Sequence, residues 1–368
     1  MYLKNSKKIV IKIGSSLLID NKKNIRSKWL FEFSKDIKNL LKQNKKVIIV
    51  TSGAIAIGCK KLNLSKKNLK LEKSQAVASI GQIELMNLFN KSFNKNKINI
   101  SQVLLTLDDT EQRRRALNAK RTFDNLFDLG FVPIVNENDT TATTEIKYGD
   151  NDRLASRVAQ ISSADILILL SDVDGLYTKN PKIDKSAELI KEIRNIDKNI
   201  EHISTKSTGE HGTGGMKTKI DAAKVCQFSG CTMAIANGLS LRPIQKILKE
   251  NNCTWFLPKV SKLDARKKWI ISSISPKGEL VIDDGAKSAL KKGKSLLAAG
   301  IRKVIGKFNK GDHIKIIDKN YKECARGLSS FSSFEIMKIM GHHSNEIENL
   351  LGYISKSEVV HKDDMVEL

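Results

Sequence analysis

The sequence predicts an α/β protein, a mainly parallel sheet sandwiched between helices, followed by a smaller, mainly-β domain. Three observations carry that expectation. Short, nearly continuous apolar runs alternate with longer segments whose apolar residues repeat at helical spacing, as parallel strands joined by helices require. The runs end in loops of small or polar residues. Near Pro258 the pattern changes, and short strand-like pieces punctuated by Gly follow.

In order along the chain, KKIVIKIGSS is a buried strand opening into a tight loop at Gly14, Ser15 and Ser16. Residues 26–43 place Trp29, Leu30, Phe33, Ile37, Leu40 and Leu41 at helical spacing. KKVIIVTSGAIAIG is a second buried strand with a small-residue loop, and SQVLLT, FVPIVNEN, DILILLSDVDGLY and CTMAIANG are further strand candidates. Residues 112–129 and 150–161 read as helices between them. In open sheets of this kind, ligands sit at the carboxyl ends of the strands. The expected division is a domain over 1–258, a linker over 259–276 and a second domain over 277–368. Its strand-like pieces run from Glu279 to Asp283, Lys303 to Phe308 and His313 to Asp318. No internal repeat is visible.

A length of 368 residues fits two cores better than one. No apolar run reaches the roughly 18 residues of a membrane span, and the N-terminal stretch lacks the apolar region of a signal peptide, so a cytoplasmic protein without a membrane partner is expected. Cys59, Cys226, Cys231, Cys253 and Cys324 contain no C-x-x-C pair, which argues against a disulfide framework or a zinc site. The adjacent pair His342 and His343 has no nearby Cys and reads as structural or interfacial. A net charge of +24 invites a nucleic-acid partner. Lysine is nevertheless spread over the whole chain with abundant Asn and Ile, as drift toward A/T-rich codons produces, and no dense basic block is interleaved with aromatics.

Several loops could share one anion site. KIGSS, TSGAIAIG, SDVDGLYTKNP and GTGGMKTK combine glycines and hydroxyl residues whose backbone N–H groups can approach phosphate oxygens. No Walker loop can be read through 209–219. Lys12 interrupts an apolar strand, where a buried ammonium needs an anionic partner, so it points to a phosphate. Glu137, Asp139, Glu145, Asp150 and Asp152 cluster within 137–152. Helix capping explains one of Asp150 and Asn151, but not five carboxylates; carboxylates beside phosphates suggest Mg2+, directly or through its waters.

Taken together, KIGSS, TSGAIAIG, VNENDTTATTEIKYGDND, SDVDGLYTKNP and GTGGMKTKIDAA resemble the glutamate 5-kinases of the amino acid kinase superfamily. The resemblance runs from about Lys8 to the end, with ARKKWI in the connector and GHHSNEIENLLGY and VHKDDM near the C-terminus, where that family commonly carries a PUA domain. It implies an amino acid kinase-like three-layer sandwich and transfer of phosphate from ATP, with Mg2+, to the side chain of L-glutamate, the first step of proline synthesis. It implies that Lys12 and Lys219 contact the transferring phosphates and that Asp152 organises the two lysines. Ser171, Asp172 and the loop Thr213, Gly214, Gly215, Met216, Lys217, Thr218, Lys219 would hold the nucleotide, and Ser52, Asp139 and Asn151 the glutamate. Lys217 and Lys224 read more readily as solvated helix-surface charges than as phosphate contacts. Departures are Lys217 and Glu210-His211 in the glycine loop and Ser171 where threonine is common. The resemblance also implies inhibition by proline and a homo-oligomer, a dimer or tetramer. A phosphorylated carboxylate needs no general base, since the acceptor is already ionised at neutral pH. The competing class is an RNA-binding protein acting through the PUA-like region.

Overall fold

The computed structural model describes residues 2–20, 24–65, 69–142, 151–181, 183–206, 215–261, 276–353 and 356–367. The chain forms two compact units, Met1–Lys262 and Leu263–Leu368. Most of the expected linker, residues 262–275, lies outside the described residues.

The first unit is built on an eight-stranded sheet. Its strands are β1 (Lys8–Ile13), β2 (Lys46–Val50), β3 (Asn99–Leu105), β4 (Phe131–Glu137), β5 (Ile166–Ser171), β6 (Glu192–Ile193), β7 (Thr232–Asn237) and β8 (Cys253–Phe256). They lie in the order β3-β4-β2-β1-β5-β7-β8-β6. All neighbours pair in parallel except β7 and β8, which are antiparallel.

Strand alternation splits the interior into two layers. Ile9, Ile11 and Ile13 of β1 face one core with Trp29, Phe33 and Ile37 of helix Ser27–Lys42 and Leu85, Phe89 and Phe93 of helix Leu71–Asn94. Val10 faces the other core with Phe123 of helix Arg113–Asp128, Leu154 and Val158 of helix Asn151–Ser162, and Ile220 and Ala223 of helix Met216–Phe228. The same alternation puts Lys12 on the Val10 side, toward the helices that begin at Asn151 and Met216.

Helix Leu71–Asn94 and β8 are among the elements not foreseen from the sequence. Helix Leu71–Asn94 carries small and polar residues at buried positions, including Ala78, Gly81, Gln82 and Ser92, which dilutes its apolar periodicity. Its close packing on helix Ala54–Lys61 needs those small residues: a Cβ at Gly81 would collide with the Ala54 carbonyl oxygen, and one at Gly58 with the Val77 carbonyl oxygen. The short β8 returns antiparallel after helix Pro243–Glu250, which no strand-helix alternation would announce.

The second unit contains β9 (Gly278–Ile282), β10 (Leu296–Leu297), β11 (Ile301–Ile305), β12 (His313–Ile317), β13 (Glu323–Leu328), β14 (Glu358–Val360) and β15 (Met365–Glu367). A five-stranded sheet runs β11-β9-β12-β13-β15, and β10 pairs with β14. Leu280, Ile282, Ile314, Ile316, Ile336 and Ile339 share its core. Helix Ser333–Ile339 starts with a capping box between Ser332 and Glu335. His342 and His343 are both exposed.

Candidate active site

Because β1, β2, β4, β5 and β7 run the same way, their carboxyl ends meet along one edge of the sheet. Lys12 is level with Val50 of β2 and Leu169 of β5, Val50 with Val135 of β4, and Ser171 with Asn237 of β7. The loops beginning at Gly14, Thr51, Asn138, Asp172 and Gly238 therefore open side by side. Backbone bonds tie them, from Gly14 N–H to the Leu170 carbonyl (3.3 Å), Thr51 N–H to Val135 (2.8 Å) and Gly238 N–H to Ser171 (2.7 Å).

At the centre stands Asp152, 0 % exposed, in the first turn of helix Asn151–Ser162. Its Oδ1 lies 2.5 Å from Lys12 Nζ and its Oδ2 2.9 Å from Lys219 Nζ. The lysines themselves are only 7 % and 6 % exposed. Thr218 Oγ1, which also donates to the Gly215 carbonyl, is 3.4 Å from Asp152 Oδ2. Burial alone would push the Asp152 carboxyl up, but the two ammoniums overrule it and hold the group far below the usual carboxylate range. Among the described residues, two cations converge there on one buried anion. Paired ammoniums at a sheet edge suit a polyanionic ligand.

A second cluster is made of amides. Asn151 Nδ2 donates to Asn136 Oδ1 (2.7 Å) and to the Thr51 carbonyl, and Asn136 Nδ2 donates to Gln82 Oε1 (2.7 Å). With both N–H groups of Asn151 committed, its Oδ1 is the atom left for a ligand. Ser52, beside Thr51, is buried and donates to the Ile13 carbonyl (3.3 Å). Asp139 is half-buried in the turn after β4. Next to it, burial and then the Asp139 charge push Glu137 up to about 7.

Of the residues expected to hold the nucleotide, Ser171 closes β5 and donates to Asp172 Oδ1 (3.1 Å). Gly215 caps helix Met216–Phe228, Met216 packs on the second core, and Lys217 is exposed. Lys224, half-buried, pairs with Glu201 at 2.6 Å. Thr213 and Gly214, with Glu210 and His211, lie outside the described residues, as do Glu145 and Asp150 of the acidic cluster. Lys12, Asp152, Lys219 and Thr218 thus meet at one point, and Ser52, Asn151, Asn136 and Gln82 beside it. Sequence reasoning missed Asn136 and Gln82. Asn136 was visible within VNEND; the only trace of Gln82 was a polar residue between the apolar positions Val77 and Leu85.

No group of three or more His, Cys, Asp or Glu able to hold a metal occurs among the described residues. Glu137 and Asp139 offer hard oxygen donors in numbers that suit an ion keeping most of its waters or bringing phosphate ligands with it. Among the described residues, no helix is long and apolar enough to cross a membrane.

Sequence profiles of the amino acid kinase family and of the PUA domain match residues 7–237 and 278–351. A glutamate 5-kinase of Pelagibacter ubique is 82% identical over 368 residues, covering 100% of both chains. One of Agrobacterium fabrum is 48% identical over 359 residues, 98% of this chain and 92% of the relative. In fold, the chain resembles a carbamate kinase of Giardia lamblia solved with AMP-PNP, with a TM-score of 0.50 and 15% identity, over 70% of this chain and 100% of that one.

Proposed function

Since the chain belongs to the amino acid kinase family, and within it to the glutamate 5-kinases, it is a kinase that uses ATP, and we propose that it transfers the γ-phosphoryl group to the side-chain carboxylate of L-glutamate without a general base. A γ-carboxylate oxygen attacks the γ-phosphorus, the bond from phosphorus to the β,γ-bridging oxygen breaks, and ADP leaves with that electron pair. The product is L-glutamyl 5-phosphate. Glutamate's side chain, with a pKa of about 4.3, is already an anion at neutral pH.

One observation carries this reading: Lys12 and Lys219 are buried on the two oxygens of Asp152. An anion attacking a polyanion needs charge neutralisation and alignment. Asp152, held far below the usual carboxylate range with both oxygens engaged, is a poor proton acceptor and a good anchor. It holds two ammoniums at a fixed separation, ready for phosphate oxygens. The N-terminal turns of the helices starting at Asn151 and Met216 add backbone N–H donors there. Mg2+ bound with ATP would supply further neutralisation of phosphate charge. Ser171, Asp172 and residues 213–219 are assigned to the nucleotide.

Ser52, Asp139 and Asn151 are assigned to the glutamate backbone. With its N–H groups committed to Thr51 and Asn136, Asn151 offers Oδ1 as an acceptor, which suits the α-ammonium group together with the Asp139 carboxylate. Proline shares that α-amino acid portion and would compete for it.

The test is ADP release with MgATP and a panel of L-glutamate, N-acetylglutamate, aspartate and carbamate, with hydroxylamine trapping of the acyl phosphate. Turnover and hydroxamate with glutamate are expected; turnover confined to another acid overturns the assignment.

A further inference from the structure

Gln82 belongs to helix Leu71–Asn94 and is far in sequence from every strand-end loop, yet its side chain ends in the amide chain of the candidate site. The residue is 8 % exposed. Its Oε1 accepts from Asn136 Nδ2, whose Oδ1 accepts in turn from Asn151 Nδ2. Its own Nε2 is buried with no hydrogen-bond partner among the described residues.

A side-chain amide can sit in a site either way round, and the two placements exchange donor and acceptor. In a chain of amides each member's sense is set by its neighbour. Gln82 Oε1 requires an N–H from Asn136, which turns Asn136 Oδ1 toward Asn151. That oxygen, with the Thr51 carbonyl, draws both N–H groups of Asn151 away from the ligand side. The order Gln82, Asn136, Asn151 thus acts together with the Thr51 carbonyl to turn an oxygen, not an NH2 group, toward the bound amino acid.

The approach of Gln82 is itself built in. Gly58 and Gly81 let the two helices touch backbone to backbone, and Gln82 follows Gly81 directly. A larger residue at either glycine would lift the helix away from Asn136.

We propose that Gln82 is a positioning residue for the acceptor amino acid, acting through Asn136 on Asn151. The inference rests on the assignment of glutamate to this site. The buried, unpartnered Nε2 shows that the side chain is not placed to satisfy its own donor. Its acceptor bond to Asn136 is what the packing preserves, at the cost of leaving a donor unmet.

Two variants of the full-length protein test this. Gln82→Met keeps the length and removes both polar atoms; Gln82→Glu keeps an acceptor for Asn136. Losing a buried hydrogen bond of this kind should raise the glutamate KM of Gln82→Met about tenfold, with the ATP KM within about twofold of wild type. Gln82→Glu should return the glutamate KM to within about threefold. If Gln82→Met is insoluble, Gln82→Leu, which also removes both polar atoms, takes its place, and the same rise is expected.

An unchanged glutamate KM in the soluble variant overturns the proposal. So does an equal rise in both KM values, which marks a general packing defect, or a Gln82→Glu protein as impaired as Gln82→Met. Wild-type protein is assayed first. If it fails to turn over glutamate, the functional assignment fails and this proposal with it; normal wild-type turnover with a silent Gln82→Met overturns only the role of Gln82.

Discussion

Lys12 and Lys219 hold opposite oxygens of one carboxylate, that of Asp152, at 2.5 Å and 2.9 Å. The three side chains come from a strand and two helices, brought together because strand alternation turns Lys12 to the face on which helices Asn151–Ser162 and Met216–Phe228 pack. Buried charges are retained only when paired, and here one carboxylate pairs with two ammoniums at the sheet edge. The arrangement ties a stability question to a catalytic one.

Removing the carboxylate separates them. Asp152→Asn leaves two buried ammoniums facing each other without their counter-ion, which should cost about 3–5 kcal/mol of stability, the scale for stripping one partner from a buried ion pair. Saturating MgATP should restore part of the loss, because its phosphates replace the missing anion. Thermal unfolding with and without nucleotide measures both effects. A variant as stable as wild type would show that the lysines do not depend on Asp152.

Removing either cation should act on turnover instead. Lys12→Ala and Lys219→Ala are each expected to lower kcat by roughly 10²–10³, the loss from deleting one transition-state donor. The glutamate KM should move far less. Steady-state kinetics at saturating ATP decides, and near-normal turnover in both variants would sink the assignment.

Glu137 gives a pH prediction whose sign follows from its surroundings. Burial and the neighbouring Asp139 push its pKa up to about 7. The folded state therefore holds a proton that the unfolded chain has released, from about pH 4 to about pH 7, and Glu137 makes the fold less stable as pH rises through that window. Its stabilising contribution is complete at lower pH and is lost above about 7. Glu137→Gln should remove this dependence, so that the variant gains on wild type as pH climbs from about 5 to 7 and then stays level. Asp152 has the opposite sign, since its depressed pKa gives stability at neutral pH that disappears only in strong acid. Urea unfolding of both proteins across this range separates the two groups.

How much of this was legible in the sequence depends on the distance over which each contact acts. Strands β1, β2, β4, β5 and β7 announced themselves as buried apolar runs, and Lys12 as the charge that interrupts one of them. Asp152 was visible as one of five clustered carboxylates, but its selection as the anchor depends on two lysines 140 positions before and 67 after it, which local pattern cannot reveal. Gln82 was illegible for the same reason: its partner Asn136 lies 54 residues away, and the helix that carries it has small and polar residues where an apolar stripe would have marked it. Family resemblance supplied the lysine and aspartate roles; it supplied nothing about Gln82.

The acceptor site predicts how the amino acid and its end product compete. Asn151→Ala should raise the glutamate KM while the ATP KM stays close to wild type, because the proposed site sets the amino acid against Asn151 Oδ1, the N–H groups being tied to Thr51 and Asn136. Proline should inhibit the wild-type protein, and excess glutamate should relieve the inhibition. Initial rates over a grid of glutamate and proline concentrations test both statements, and inhibition that glutamate cannot overcome would place proline elsewhere.

The last prediction concerns the division of labour between the two units. Every residue assigned to phosphoryl transfer, from Lys12 to Lys219, lies in Met1–Lys262, which has two hydrophobic cores of its own on the faces of one sheet. The second unit has a separate core. A fragment of residues 1–260 should therefore fold and phosphorylate glutamate at a measurable rate. Proline inhibition and oligomeric state should differ if the PUA domain takes part in either. Charge predicts the RNA behaviour: with +24 over the full chain, binding that fades between about 50 and 200 mM salt and ignores sequence reflects electrostatics alone, whereas selective binding lost in the fragment would assign RNA recognition to the PUA domain. Solubility, circular dichroism, ADP release, mass in solution and RNA titration, measured beside the full chain, give the comparison. A folded fragment without any kinase activity would show that the second unit completes the active site and that chemistry is not confined to the first.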